Sequence, residues 1–225
     1  MDFNHLISKQ ELQKPISTDK AFKWVESLLN RFLESEDSKR FLRLKNGVTQ
    51  ELIDELYPLG KYSKNYYNNP DIFLKYYPGS EKSFDADFID GKGNLIEKVE
   101  VTMAIDGQQQ RIQSEAINEF GHSPVYQTPN YTGNRRNRVL KETESTTISS
   151  DKIFEIQTKR IQEAYRKKHT NIIKYPNMTL LIGVDIPLFM EWEYERIISQ
   201  FEMLENSFES IKCVNVSSDH CWVLK

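Results

Sequence analysis

DADFIDGKGNLIEKVEVT, residues 85–102, has the form of a β-hairpin. "FDADFI" and "LIEKVEVTMA" are β-forming runs, and "DGKGN" between them is turn chemistry. Acidic residues are poor strand formers. Even so, Asp85 and Asp87 stand on one arm and Glu100 on the other. Side chains alternate faces along a strand, so Asp85 and Asp87 share a face. Glu100 and Thr102 share one face of the return strand, with Val99, Val101 and Met103 on the other. A turn centred near Lys92 sets Asp87 beside Ile96–Glu97 and Asp85 nearer Lys98–Glu100. Two or three carboxylates then meet on one surface, where they repel unless a cation joins them. Oxygen ligands on two strands suit a hard divalent ion that keeps several waters, such as Mg²⁺, with Mn²⁺ as its substitute. The plainer alternative is a solvated hairpin face, which is how Asp90 and Lys92 in the turn read.

Working outward, "STDKAFKWVESLLNRFLE" has apolar residues at helical spacing behind capping candidates at 17–19. Short helices are expected through "SKRFLRL" and from Thr49. "KYSKNYYNNPDIFLKYYPGS" reads as loop with short extended pieces, its tyrosines covering a core edge or offering platforms for bases. After the hairpin, "DGQQQRIQSEAINEFG" is a helix closed by Gly121, and "SPVYQ" a short strand. Residues 128–150 are polar and turn-rich. "SSDKIFEIQTKRIQEAYRKKH" is a helix, "MTLLIGVDI" a buried strand, and "PLFMEWEYERIISQFEMLEN" a helix starting at Pro187. The chain then ends in two strands. This order predicts an α/β sandwich around a mixed sheet. Residues 1–79 form a helical segment and Tyr-rich loop packed on a core of residues 80–225, one compact domain overall.

Composition narrows the function classes. The 225 residues suffice for a substantial core, and 28% charged residues give a well-solvated surface. No apolar run is long enough for a membrane span, and the N-terminus lacks a secretory pattern, so the expected location is the cytoplasm. There Cys213 and Cys221 are expected as free thiols. The four histidines are scattered, which gives a structural zinc site little support. The net charge is −3, but residues 135–168 hold ten Lys/Arg against five Asp/Glu. Such a basic belt on an acidic body suits a phosphate backbone. Its candidates are Arg135, Arg136 and Arg138 in the polar loop, with Lys159, Arg160, Arg166 and Lys167 on the helix after it.

The "ADFID" and "VEVT" runs, followed by a helix, resemble the core motif of the PD-(D/E)xK nuclease superfamily, which includes restriction endonucleases. The motif covers about 16 residues, and the order of elements matches over residues 80–200. The resemblance implies a restriction-endonuclease-like three-layer α/β/α sandwich with N-terminal helices. It also implies Mg²⁺-dependent hydrolysis of DNA phosphodiesters and, by analogy, a homodimer. Asp87 and Glu100 take the positions of the metal-binding acids, with Asp85 as an auxiliary. Thr102 takes the position of the motif lysine and supplies no cation. Arg111 on the next helix is the first candidate replacement and Lys98 the second, while Gln108 or Gln109 would orient water. The alternatives are a catalytically inactive member of the same fold that binds nucleic acid or protein, and an unrelated α/β domain that uses its Tyr-rich loop.

Overall fold

The computed structural model describes residues 3–79, 82–124, 126–127, 129–133, 138–144, 146–169, 177–186, 189–205 and 208–225. A largely helical layer comes first: α1 (Lys9–Leu12), the strand β1 (Ile16–Ser17), α2 (Thr18–Asn30) and α3 (Glu36–Arg43). A continuous helical run follows, in which α4 (Val48–Glu51) leads through Leu52–Leu56 to α5 (Tyr57–Tyr62) and on to Tyr67. Both Leu52–Leu56 and Ser63–Tyr67 are wide turns, closed by Tyr57 N–H on the Leu52 carbonyl and Asn68 N–H on that of Ser63. Pro58 has no N–H and its ring crowds the carbonyl four residues back, so the ordinary ladder cannot run through it. Gly60 lets this run approach α2, since a Cβ there would lie 3.2 Å from the Phe22 Cα.

The remaining elements are β2 (Ile72–Tyr76), β3 (Ala86–Asp90), β4 (Leu95–Met103) and α6 (Gly107–Phe120), then a small hairpin of β5 (Tyr131–Thr132) and β6 (Val139–Leu140). After these come α7 (Ser150–His169), β7 (Thr179–Val184), α8 (Glu191–Gln200), β8 (Ser210–Asn215) and β9 (Cys221–Val223). Seven strands form one sheet in the order β1-β2-β3-β4-β7-β8-β9. Pairing is antiparallel from β1 to β4, parallel from β4 through β7 to β8, and antiparallel again at β9. The fold is therefore an α/β sandwich on a mixed sheet. On one face Val25, Leu28, Leu56 and Leu59 pack against Leu74, Phe88, Val101 and Leu181. On the other, Phe154, Ile161, Tyr165 and Ile197 pack against Leu180, Ile182 and Cys213. Both cysteines are free, and burial pushes the Cys221 thiol up to about 12.

Several local expectations change. Of the stretch expected as loop with short extended pieces, the extended part is β2, whereas residues 60–67 complete the helical run; Leu59, Tyr62, Leu74 and Tyr76 are all drawn into the core. The turn residues at 68–71 mark only the junction between the two. β1 and β2 also extend the sheet across residue 80. Pro124, Tyr126 and Gln127 are not in a strand, and part of the stretch at 128–150 pairs as β5 and β6. α8 starts at Glu191, where the Glu193 carboxylate accepts the Met190 N–H at 2.8 Å; Pro187 lies outside the described residues.

The ends of β7 and β8 are tied by Asn215, which is fully buried. Its amide donates to the Ile186 carbonyl at 2.7 Å and to the Tyr194 hydroxyl at 3.1 Å, and its oxygen accepts Ile186 and Ser217 N–H. Asn215→Leu leaves the Ile186 and Tyr194 groups buried without those partners. It is expected to lower stability by about 2–3 kcal/mol, read from the urea midpoint.

Candidate functional site

The hairpin register differs by one step from that of an uninterrupted ladder. Pairing runs Ala86↔Val99, Asp87↔Lys98 and Phe88↔Glu97, then jumps to Ile89↔Leu95. Ile96 is the extra residue of a β-bulge. Asp87 therefore stands opposite Lys98, not beside Ile96–Glu97 as the turn alone predicts. Directly opposite residues share a face, so Asp87, Lys98, Glu100 and Thr102 all project toward the α7 side of the sheet. Phe88 and Glu97 project toward the N-terminal helices. Asp87 and Glu100 are diagonal cross-strand neighbours, a relation that sets residues about 7–8 Å apart on a pleated sheet.

Both carboxylates are buried, Asp87 with 8% and Glu100 with 4% of its surface exposed. The Tyr77 hydroxyl donates to Asp87 Oδ2 at 2.6 Å, and Lys82 Nζ lies 3.9 Å from the same oxygen. Burial and the adjacent Asp87 carboxylate push the Tyr77 phenol well above its usual value, so it remains a donor. Asp87 Oδ1 is buried with no hydrogen-bond partner among the described residues. Glu100 is met by Lys168 from the C-terminal turn of α7. That helix runs back along β7: Gln157 bonds the Asp185 carbonyl beyond the end of β7, and Lys168 reaches Glu100, whose partner Leu180 lies near the start.

The other expected residues are dispersed. Asp85 Oδ2 accepts the Val101 N–H at 2.7 Å, extending the β3–β4 pairing through a side chain. Arg111 is exposed and pairs with Glu115 one turn along α6. Gln109 is buried and accepts from Arg160 at 2.6 Å. Lys159 faces Glu163 at 3.8 Å, Arg166 pairs with Glu202, and Arg138 stacks on Tyr131 at 3.9 Å. Lys167 is exposed on α7. Arg135 and Arg136 lie outside the described residues. Much of the basic belt is thus matched by acids or rings of its own chain. Arg160 instead lines a cleft of about 210 Å³ with Asp106, Gln157 and Asp185, at the C-terminal ends of β4 and β7.

Lys168, Lys82 and Tyr77 are the site neighbours that sequence reasoning missed. Nothing local marks Lys168, a single member of a basic run whose reach depends on how α7 crosses the sheet. The described residues hold no cluster of three or more His, Cys, Asp or Glu able to bind a metal, and no helix long and apolar enough to cross a membrane. Compared with known proteins, the chain matches no family model, no curated protein and no solved structure.

Proposed function

We propose that this chain is a metal-dependent phosphodiesterase acting on DNA, of the PD-(D/E)xK kind, with Asp87 and Glu100 as the protein ligands of a Mg²⁺ ion. One observation carries the reading: two buried carboxylates share one face of adjacent strands, and Asp87 Oδ1 has no partner among the described residues. A buried acceptor left unsatisfied costs about 1–3 kcal/mol. A hard cation relieves that cost. Two carboxylate donors also fit Mg²⁺, which completes its shell with water. When bound, the ion supplies an activated water and stabilises charge on the phosphoryl oxygens.

The chain's own residues do the rest. Tyr77 fixes the Asp87 carboxylate through Oδ2 and leaves Oδ1 for the ion. Lys168, paired with Glu100, brings an ammonium to the acid two residues before Thr102, which brings none. It replaces the motif lysine from another element, as a mobile ammonium suited to a phosphoryl oxygen. Arg111 is turned to Glu115, so it is the weaker replacement.

The test is cleavage of supercoiled plasmid and single-stranded DNA with Mg²⁺ or Mn²⁺, alongside calorimetric titration of Mn²⁺. Cleavage is expected to vanish with a chelator and in Glu100→Gln, and Lys168→Met should reduce it about 10²-fold or more while still binding Mn²⁺. Cleavage that survives Glu100→Gln overturns the assignment. The Glu100–Lys168 ion pair itself favours a second reading, a non-catalytic module of the same architecture, because a carboxylate already neutralised needs no metal. DNA retention without cleavage or Mn²⁺ uptake would select it.

A further inference from the structure

Lys75, Asp87 and Lys98 stand directly opposite one another across β2, β3 and β4, on the face that carries Glu100. Neither flanking lysine forms an ion pair among the described residues. Their ammonium groups lie over rings instead: Lys75 is 5.6 Å from the Tyr77 centroid, and Lys98 is 5.4 Å from that of Phe84. Lys82 joins them, 4.1 Å from Tyr77 and 5.2 Å from Phe84. The two rings pack edge to face at 5.6 Å. Three ammonium groups thus gather around one aromatic pair, and of the three only Lys82 forms an ion pair with Asp87 among the described residues, at 3.9 Å.

We propose that this lysine patch is where the phosphodiester backbone of a nucleic-acid strand docks. The proposal rests on the phosphodiesterase reading and adds the side from which substrate reaches Asp87 and Glu100. Three like charges on neighbouring elements repel one another. Ring faces offset part of that repulsion, and a polyanion removes more of it while releasing its own counterions. Strands lie about 4.8 Å apart, so Lys75 and Lys98 sit on strands about 10 Å apart, wide enough to touch more than one phosphate. A backbone held there runs directly past the two acids. The basic residues of α7 are less suited, since Lys159 and Arg166 already face Glu163 and Glu202. Lysine, unlike a bidentate arginine, holds phosphate as a point charge, so the patch grips without reading bases.

The experiment is fluorescence anisotropy with a labelled 20-nucleotide single strand and its duplex, in EDTA, over a series of salt concentrations. Lys75→Gln/Lys98→Gln keeps the stems on the rings and removes two charges. It is expected to weaken binding at least tenfold and to reduce the slope of log K against log salt by about 1.4–1.8. Lys159→Gln/Lys167→Gln is expected to change neither. Unaltered affinity and slope in the first variant, with its melting temperature preserved, overturn the proposal. So does wild-type protein that binds poly-glutamate as tightly as DNA. Because EDTA excludes cleavage, the two readings fail separately. Lysine-dependent binding without any Mg²⁺-dependent cleavage sinks the phosphodiesterase and leaves the docking surface, whereas cleavage with KM unchanged in the lysine variant does the reverse.

Discussion

Glu97→Ala is expected to destabilise the protein by roughly 3–5 kcal/mol, a large share of the ~5–15 kcal/mol that holds a typical domain together. The bulge turns Glu97 onto the face of the N-terminal helices, where its carboxylate accepts four donors. Tyr62 and Tyr67 hydroxyls reach it at 2.7 Å each, Thr179 at 2.5 Å and Lys212 at 3.0 Å. Lys212 also donates to the Tyr62 hydroxyl at 2.6 Å. One carboxylate therefore joins β4, β7, β8 and the helical run. Burial pushes its pKa up, but the hydroxyls of Thr179 and Tyr67, the Lys212 charge and Tyr62 outweigh that and leave it below its usual value. Alanine removes the counter-charge of the half-buried Lys212 ammonium and the acceptor of three hydroxyls together, which is why the loss exceeds that of one hydrogen bond. Glu97→Gln keeps an acceptor for the hydroxyls and should cost less. Urea unfolding of both variants at pH 7 measures this, and a loss below about 1 kcal/mol for alanine would show that the network contributes little.

The second large effect depends on pH. Glu55 lies between the Tyr76 hydroxyl, which donates to it at 2.5 Å, and the acids Glu51, Asp54 and Asp85. Burial, then the Asp85 charge, raises its pKa from 4.5 to about 8. Glu51 is raised as well, chiefly by burial. In the unfolded chain Glu55 loses its proton near pH 4.5, while the folded protein keeps it to about pH 8. Between those values the native state binds more protons. Stability is therefore lost as pH rises through the window, and no further beyond it. At about 1.4 kcal/mol per unit, discounted for partial exposure, the swing is roughly 2–4 kcal/mol. Glu55→Gln keeps an acceptor for Tyr76 and removes the titration. It should match the wild type at pH 5 and exceed it by that margin at pH 9, by urea midpoint. If both proteins lose stability in parallel over the interval, Glu55 is not the group responsible.

The hairpin, α6 with its Gly121 stop, α7, β7 and the two closing strands were all legible, because each has its own period and its own punctuation. The sandwich and the mixed sheet follow from their order. What could not be read depends on partners distant in sequence. Tyr62 and Tyr67 look like loop aromatics until Glu97, thirty or more residues later, receives their hydroxyls. Glu100 was legible as an acid on the right face, but its ammonium partner comes from 68 residues away. The basic belt was legible as composition only. Which of its charges are already matched depends on Glu163 one turn along α7 and on Glu202, reached only through folding. Lys75 has no local signal, because the turn residues around it leave its register with Asp87 undefined until β2 pairs with β3.

Ile96 sets the parity of β4. Everything C-terminal to it on that strand owes its sidedness to one supernumerary residue, so the hairpin admits changes in length only in steps of two. Removing Ile96 alone, with no compensating insertion in the turn, would exchange the interior of one layer for the interior of the other. Val99 and Val101 would be turned out toward the lysines, and Glu100 and Thr102 pressed among leucines. Homologous chains should therefore vary the turn freely in identity yet conserve whether the count of residues between Asp87 and Glu100 is even or odd.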